Sequence, residues 1–193
     1  GKLIDNCVAS LLKSINVSFE IIVITSDDEL AGKGIKNCLV IGTDKRVGPA
    51  EKRNTGSRIA TGRYLAFFDD DVEVETNCLF MLKQSIERLE NCRMVFGKLY
   101  NMEHRNRFDE AGGYLTRTGF IWSRAGQNDI DTGQYDKYET IFAGKSASCM
   151  IDTKLFNRIG GFDEDFWILG EESDLAWRVW LHKRYVYFCP FAV

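Results

Sequence analysis

Three consecutive aspartates follow an apolar run in the first half of the chain. Residues 64–68 have the composition of a buried strand, and Asp69, Asp70 and Asp71 come directly after it. Ligands of open α/β sheets bind beyond the carboxyl ends of strands, which is where the triplet falls. Carboxylates this close repel one another, and a hard cation such as Mg²⁺ or Mn²⁺ relieves that repulsion while it also binds substrate phosphates. The triplet predicts a metal–diphosphate site, and a solvated acidic loop is the alternative.

A pair of glutamates stands where a helix is expected to begin near the end of the chain. Glu171 or Glu172, ionised at pH 7, is suited to take a proton from a substrate hydroxyl. Simple complementarity to the helix dipole is the alternative. Asp174 and Arg178 are four residues apart and can pair on the helix surface. Trp167, just upstream, can stack on a sugar ring or belong to the core.

The helix expected before the aspartates carries an unusually placed cation. Pro49 is suited to start this helix and Gly62 to end it. Its inner face should consist of Ala50, Arg53 with Asn54, Ser57 and Ala60. Because the other residues are small or uncharged, a long cation on this face suggests an anion nearby, either a diphosphate or the aspartates. An ordinary surface arginine is the alternative.

The composition is that of an ordinary globular chain. Its 193 residues include 25 Lys and Arg against 28 Asp and Glu, a net charge of −3, and 45% are hydrophobic. This acidic balance argues against a nucleic-acid partner, which normally meets a basic surface. No apolar run approaches the roughly 18 residues of a transmembrane segment. The six cysteines lack metal-ligand or C-x-x-C spacing, which favours buried thiols in a reducing compartment.

Short strands alternate with helices through the first half of the chain. This rhythm predicts a three-layer α/β/α sandwich around a mostly parallel, mixed sheet. The expected strands are 19–24, 38–41, 64–68, 94–97, 148–151 and 185–188, and the expected helices are about 3–12, 49–62, 76–89 and 173–182. Residues 100–140 show no periodicity but carry many aromatic side chains. We therefore expect a functional loop region there rather than disorder.

Four motifs, in order, resemble those of family 2 glycosyltransferases, which have the GT-A fold. The motifs are Lys52-Arg53-Asn54-Thr55-Gly56 for the family's A-R-N-x-G helix, Phe67-Phe68-Asp69-Asp70-Asp71-Val72 for its D-x-D strand, Gly160-Gly161-Phe162-Asp163-Glu164 for its G-G-F-D-E turn, and Glu171-Glu172-Ser173-Asp174-Leu175-Ala176-Trp177-Arg178 for its E-D-x-D-L-x-x-R segment. Each motif alone has low specificity, whereas four with family order and spacing are strong. The resemblance implies one domain, 1–193, with a nucleotide-sugar half at 1–99 and an acceptor half at 100–193.

The resemblance also implies a reaction, namely inverting transfer of a sugar from a nucleotide-diphosphate donor to a hydroxyl acceptor, with Mn²⁺ or Mg²⁺. Asp71, together with Asp69, would hold the metal, and Asp69 and Asp70 would contact the donor. Arg53 and the metal would neutralise the departing diphosphate.

The same resemblance assigns roles to the second acidic segment. Glu172 falls on the family's catalytic Asp and is the expected general base, with Glu171 as the second candidate. Asp174 and Arg178 would orient this segment. Trp167 would contact the acceptor, which is expected to be a saccharide or another hydroxyl compound.

Three departures from the family pattern stand out. Asp27 and Asp28 occupy the donor-contacting position after the second strand, but they follow Thr25-Ser26 where the family has an Asp before a Ser/Thr-Asp pair. We expect the chain to begin after the family's first strand and to stop before the position of a metal-binding His. Glu172 replaces the shorter Asp. The expected location is cytoplasmic or peripheral to a membrane, and family-level expectation adds polysaccharide or glycoconjugate assembly there.

Two other functions are open from the sequence. A nucleotidyltransferase would share the nucleotide and metal chemistry, but the only Gly-rich basic stretch, Ala31-Gly32-Lys33-Gly34, follows the second expected strand instead of opening the chain. A catalytically impaired nucleotide-sugar-binding or scaffold domain would keep the fold and lose turnover.

Overall fold

The computed structural model describes residues 2–126 and 128–193. Gly1, at the expected start of the first helix, and Gln127, inside the expected loop region, lie outside the described residues. The helices are α1 (Lys2–Leu11), α2 (Asp28–Lys33), α3 (Pro49–Ile59), α4 (Cys78–Arg88), α5 (Thr153–Arg158) and α6 (Glu171–Leu181). The strands are β1 (Ile22–Thr25), β2 (Leu39–Gly42), β3 (Tyr64–Phe68), β4 (Cys92–Gly97), β5 (Leu99–Tyr100), β6 (Phe108–Glu110), β7 (Gly113–Leu115), β8 (Ile121–Ser123), β9 (Glu139–Thr140), β10 (Ser148–Asp152) and β11 (Tyr185–Cys189).

The larger sheet has the order β3-β10-β4-β11-β9, and β1 and β2 form a separate parallel pair. The sheet is mixed, as expected, but the expectation of mostly parallel strands is wrong. Among the described strands of this five-stranded sheet, β10 is antiparallel to both β3 and β4, β9 is antiparallel to β11, and only β11 and β4 run parallel. The strands β3, β4 and β11 do run in the same direction, as the alternation of strands and helices predicts. Of the reversed strands, β9 lies at the end of the long non-helical stretch and β10 follows it, so no crossover helix fixes their direction.

Helices cover both faces of this sheet, which confirms the three layers. Alternate side chains of one strand reach opposite cores: Met94 and Phe96 join the cluster that includes α3, α5 and α6, whereas Val95 joins the one that includes α1 and α4. Pro49 is the first residue of α3, where its missing N–H leaves no bond unmade. The buried residues of α3 are Ala50, Asn54 and Ser57, as the expected inner face requires.

The stretch at 100–142 is ordered where it is described, as its aromatic content predicts. The rings of Tyr100, Phe108 and Tyr135 pack together. Beneath them the buried Lys98 donates to Asp131 at 2.8 Å and to Asp136. An ammonium group with 4% side-chain exposure is tolerated only when paired. This buried ion cluster fixes the loop region to the end of β4.

The cysteines are free thiols, and five of the six are buried. Burial raises the pKa of Cys149 to about 12 and that of Cys7 to about 11, so both stay protonated near neutral pH. Within residues 2–126 and 128–193, every helix is too short or too polar to cross a bilayer.

Candidate active site

One arginine joins three elements at the carboxyl end of β3. The Nη2 of Arg53 donates to Oδ1 of Asp69 at 2.7 Å, and its Nη1 donates to Oε1 of Glu171 at 2.8 Å. The side chain of Arg53 is only 12% exposed, and that of Glu171 only 7%. The structure therefore brings the inner face of α3, the first aspartate after β3 and the first residue of α6 into one ion network. We refer to Arg53, Asp69 and Glu171 as the arginine network.

Local sequence explains why these side chains meet. Glu171 lies four and eight residues before the buried Leu175 and Val179, so the helical period turns its carboxylate toward the core. Arg53 lies between the buried Ala50 and Ser57 on α3. Both charges are thus directed inward, and their pairing offsets part of the cost of burying each of them.

Glu172 is the half-buried neighbour of this network. Burial is the main cause that raises the pKa of its carboxyl to about 7, and the negative charge of Glu171 adds to the effect. Arg53 is hydrogen-bonded to Glu171, while the second oxygen of Glu171, Oε2, is buried without a hydrogen-bond partner in the described structure. A carboxyl with a pKa near 7 is well matched to general base catalysis at neutral pH.

Asn54, next to Arg53, holds the Gly-Gly turn beside the site. Its Nδ2 donates to the Phe162 carbonyl and to Oε1 of Glu164, both at 2.8 Å, and its Oδ1 accepts from the Phe162 N–H at 2.9 Å. The side-chain amide of Asn54 is buried, and both its N–H donors and its carbonyl acceptor are hydrogen-bonded. Sequence reasoning placed Asn54 on the inner face of α3 but missed this role. Its position next to Arg53 is the only local clue to this role, because its partners Phe162 and Glu164 lie 108 and 110 residues away.

Gly161 sits against this amide, which gives a test of the turn. It has φ +73°, and a Cβ there would lie 2.7 Å from the Asn54 Oδ1. We expect Gly161→Ala to lower the free energy of unfolding by about 3 kcal/mol, through left-handed strain and the displaced amide. The neighbouring Gly160 has φ +90° and open space around its Cβ position, so Gly160→Ala should cost only about 1–2 kcal/mol. Urea unfolding of both variants measures the difference, and equal costs would contradict a role for the Asn54 contact.

Asp174 and Arg178 pair within α6, as their spacing predicts. The Nε of Arg178 donates to Oδ2 of Asp174 at 2.9 Å. The Nη1 of Arg178 also donates to the carbonyls of Ile159 and Gly161, both at 2.7 Å. Arg178 thus ties α6 to the Gly-Gly turn that Asn54 also holds.

The other predicted residues lie at or near the surface. Asp70 and Asp71 are exposed in the turn after β3. Asp27 caps α2, with Oδ1 accepting from the backbone of Glu29 and Leu30, and Asp28 pairs with Lys45 at 3.3 Å. In the described part of the chain, neither Asp27 nor Asp28 is bonded to the arginine network. Trp167 is 59% exposed and is not part of the core.

The aspartates after β3 suit a hard cation that is bound partly by the protein and partly by a substrate. Within residues 2–126 and 128–193, no three His, Cys, Asp or Glu side chains are gathered as a metal cage. Mg²⁺ and Mn²⁺ commonly take one or two carboxylates together with phosphate oxygens. Asp69 gives one oxygen to Arg53, and Asp71 is exposed nearby, so these two fit such a shared site.

Comparisons with known proteins agree on a family. The family model for glycosyl transferase family 2 matches residues 1–156. A putative polypeptide N-acetylgalactosaminyltransferase 10 from Drosophila melanogaster is 27% identical over an alignment of 157 residues, and the match covers 77% of this chain and 24% of the fly protein. The chain therefore spans about a quarter of that relative's length.

Two solved structures share the fold. GalNAc-T7, solved with UDP, GalNAc and Mn²⁺, has a TM-score of 0.74 at 17% identity, over 97% of this chain and 39% of that one. S. aureus TarS, residues 1–349, has a TM-score of 0.60 at 20% identity, over 98% of this chain and 57% of that one. Since the family model matches most of the residues and the architecture is shared with these structures, the chain belongs to glycosyl transferase family 2 and has the GT-A fold.

Proposed function

We propose that the chain catalyses inverting transfer of a sugar from a nucleotide-diphosphate donor to a hydroxyl acceptor. The observation that supports this most strongly is the arginine network, which ties the strand end bearing Asp69 to the helix start bearing Glu171 and Glu172. A donor site and a proton acceptor are thereby held side by side. UDP is the proposed nucleotide, because the GalNAc-T7 structure that shares this fold contains UDP, GalNAc and Mn²⁺.

In the proposed reaction Glu172 is the general base. Its carboxylate removes the proton from the acceptor hydroxyl while that oxygen attacks the anomeric carbon from the face opposite the donor diphosphate. The bond from that carbon to the diphosphate oxygen breaks, and its electron pair leaves with the diphosphate. Such proton transfer contributes about 10²–10⁴-fold to the rate. Glu171, held by Arg53, keeps Glu172 in place and raises its basicity through its charge.

The bound cation would supply positive charge that stabilises the leaving diphosphate. Asp71 and Asp69 are the residues proposed to hold it, with Asp70 at the donor. Arg53 has two carboxylates as partners and little exposure, so we assign it a positioning role in place of direct neutralisation of the diphosphate. Asp27 and Asp28, at the end of β1, remain candidates for the nucleoside end of the donor. In the same proposal residues 1–99 bind the donor and residues 100–193 the acceptor, with Asp174 and Arg178 positioning α6.

Calorimetry with UDP tests the donor site. We expect Mn²⁺ to increase the affinity for UDP, and Asp71→Asn to remove at least tenfold of that increase, because one ligand charge is lost. Asp5→Asn, which alters an exposed aspartate of α1, is the matched control and should bind UDP as the unaltered protein does. UDP binding that is indifferent to Mn²⁺ in all three proteins would contradict the metal assignment.

The second candidate is a nucleotide-sugar-binding domain without turnover. Conversion of UDP-sugar to UDP separates the two candidates, because the binding domain would take up UDP and release none from the sugar nucleotide. The presence of a half-buried glutamate with a pKa near 7 favours the enzyme.

A further inference from the structure

Four consecutive apolar side chains are exposed shortly before α6, the helix that carries Glu171 and Glu172. Phe166, Trp167, Ile168 and Leu169 have exposed fractions of 37%, 59%, 63% and 78%. None of them belongs to the buried clusters among the described residues. Contiguous exposed apolar surface of this kind normally marks a binding site.

The backbone holds this apolar segment in place. Leu169 has φ +68°, a conformation that is unfavourable for a bulky side chain, and Gly170 follows with φ +97°. At the other end of the segment, the Trp167 carbonyl oxygen lies 2.7 Å from where a Cβ on Gly48 would be. The segment is therefore packed against the N-terminus of α3. The strained residue lies three residues before the candidate base in the sequence, and strained residues cluster at functional sites.

The charges around the segment limit what can cover it. Glu171, which follows it, is buried against Arg53, but Asp163, Glu164 and Asp165, which precede it, are exposed. An anionic membrane surface would meet these carboxylates with like charge. A second copy placed symmetrically would bring the same acidic residues together. A neutral apolar group of a small ligand carries neither cost.

We propose that Trp167, Ile168 and Leu169 bind the apolar part of the acceptor, so that the acceptor is a hydroxyl compound linked to a neutral hydrocarbon group. This rests on the proposed function. Leu169 and Glu172 are three residues apart, so their Cα atoms lie within about 11 Å of each other. A hydrocarbon group on Ile168 and Leu169 therefore places a hydroxyl a few atoms away within reach of Glu172.

Calorimetry with alkyl glucosides tests this without requiring turnover. Methyl β-glucoside and octyl β-glucoside share a head group, and octyl glucoside is used below its micelle concentration with UDP and Mn²⁺ present. Each buried methylene should tighten binding about fourfold, so burial of four gives a difference on the order of 10²-fold. Ile168→Ser and Leu169→Asn should each remove at least tenfold, with Asn chosen because it tolerates the left-handed backbone. Ile15→Ser, at a remote residue with 51% exposure, is the matched control and should keep the full difference.

An octyl glucoside that binds within threefold of the methyl compound would overturn the inference. The inference would also be overturned if Ile168→Ser kept the same preference for octyl over methyl glucoside as Ile15→Ser. These outcomes are distinct from a failure of the proposed function, which would appear as absent UDP binding or absent release of UDP from a sugar nucleotide.

Discussion

Glu172→Gln is expected to lower sugar transfer by about 10²–10⁴-fold and at the same time to stabilise the fold. The amide keeps the shape of the carboxyl but cannot accept the acceptor proton. It also removes a charge that burial and Glu171 disfavour. A shift from 4.5 to about 7 corresponds to about 3 kcal/mol for a fully buried group, and partial exposure reduces the expected gain to about 1–2 kcal/mol at pH 8. Release of UDP measures transfer, and urea unfolding measures stability.

The stability gained by Glu172→Gln should depend on pH. The pKa of Glu172 is higher in the folded than in the unfolded chain, so its contribution to stability is fully present below about pH 4.5 and is lost as the pH rises through about 7. The stability advantage of Glu172→Gln should therefore vanish at pH 4.5 and grow toward pH 8. The unaltered enzyme should lose activity tenfold per pH unit below about 7. Glu90→Gln, at an exposed glutamate, should change neither property, and full transfer by Glu172→Gln would move the base to another residue.

Arg53→Gln is expected to lower the free energy of unfolding by about 3–5 kcal/mol. The substitution leaves the Glu171 carboxylate, with 7% side-chain exposure, without its cation, and it releases Asp69 at the strand end. Donor binding should weaken because Asp69 is no longer oriented. Urea unfolding measures the first effect and UDP calorimetry the second.

Arg58→Gln on the same helix is the matched control. Arg58 is 61% exposed and lies 3.7 Å from Glu164, so its loss should cost less than about 1 kcal/mol. Adding Glu171→Gln to Arg53→Gln should recover part of the stability, because the buried charge left unpaired is then gone. Equal costs for Arg53→Gln and Arg58→Gln would show that the arginine network contributes no more than a surface pair.

Much of the architecture follows from local sequence. The strand at 64–68 and the helix beginning at Pro49 are found with the expected residues, because a short apolar run and a helix-starting proline are local features. The short helices α2 and α5 were missed. Asp27 and Asp152 cap them, but six residues are too few for a clear helical period. The direction of β10 was missed because strand direction depends on the path of the preceding loop region, which carries no periodic pattern.

The candidate site was predicted in part for the same reason. Arg53 on the inner face of α3 and Glu171 at the start of a helix could be placed by helical spacing. Their contact with each other was not predicted, because the expected partner of Arg53 was a diphosphate or the aspartates. The contacts of Asn54 with Phe162 and of Lys98 with Asp131 could not be predicted, since each depends on how two distant segments dock. Sequence spacing locates a side chain on its own element, whereas a partner on another element requires the tertiary structure.

The contacts of the arginine network can form only in a fixed order while the chain is synthesised on the ribosome. Arg53 and Asp69 are 16 residues apart and Arg53 and Glu171 are 118 apart, so the first contact is possible long before the second. At about 5–20 residues per second, a ribosome needs roughly 5–20 s to add the intervening residues. During that interval Arg53 has only Asp69 as an acidic partner from the network, and the proposed base, Glu172, has not yet been synthesised. The site is thus completed late, by the Arg53–Glu171 contact. This contact joins residues far apart in sequence, so its loop-closure entropy cost must be offset by sheet contacts that form first.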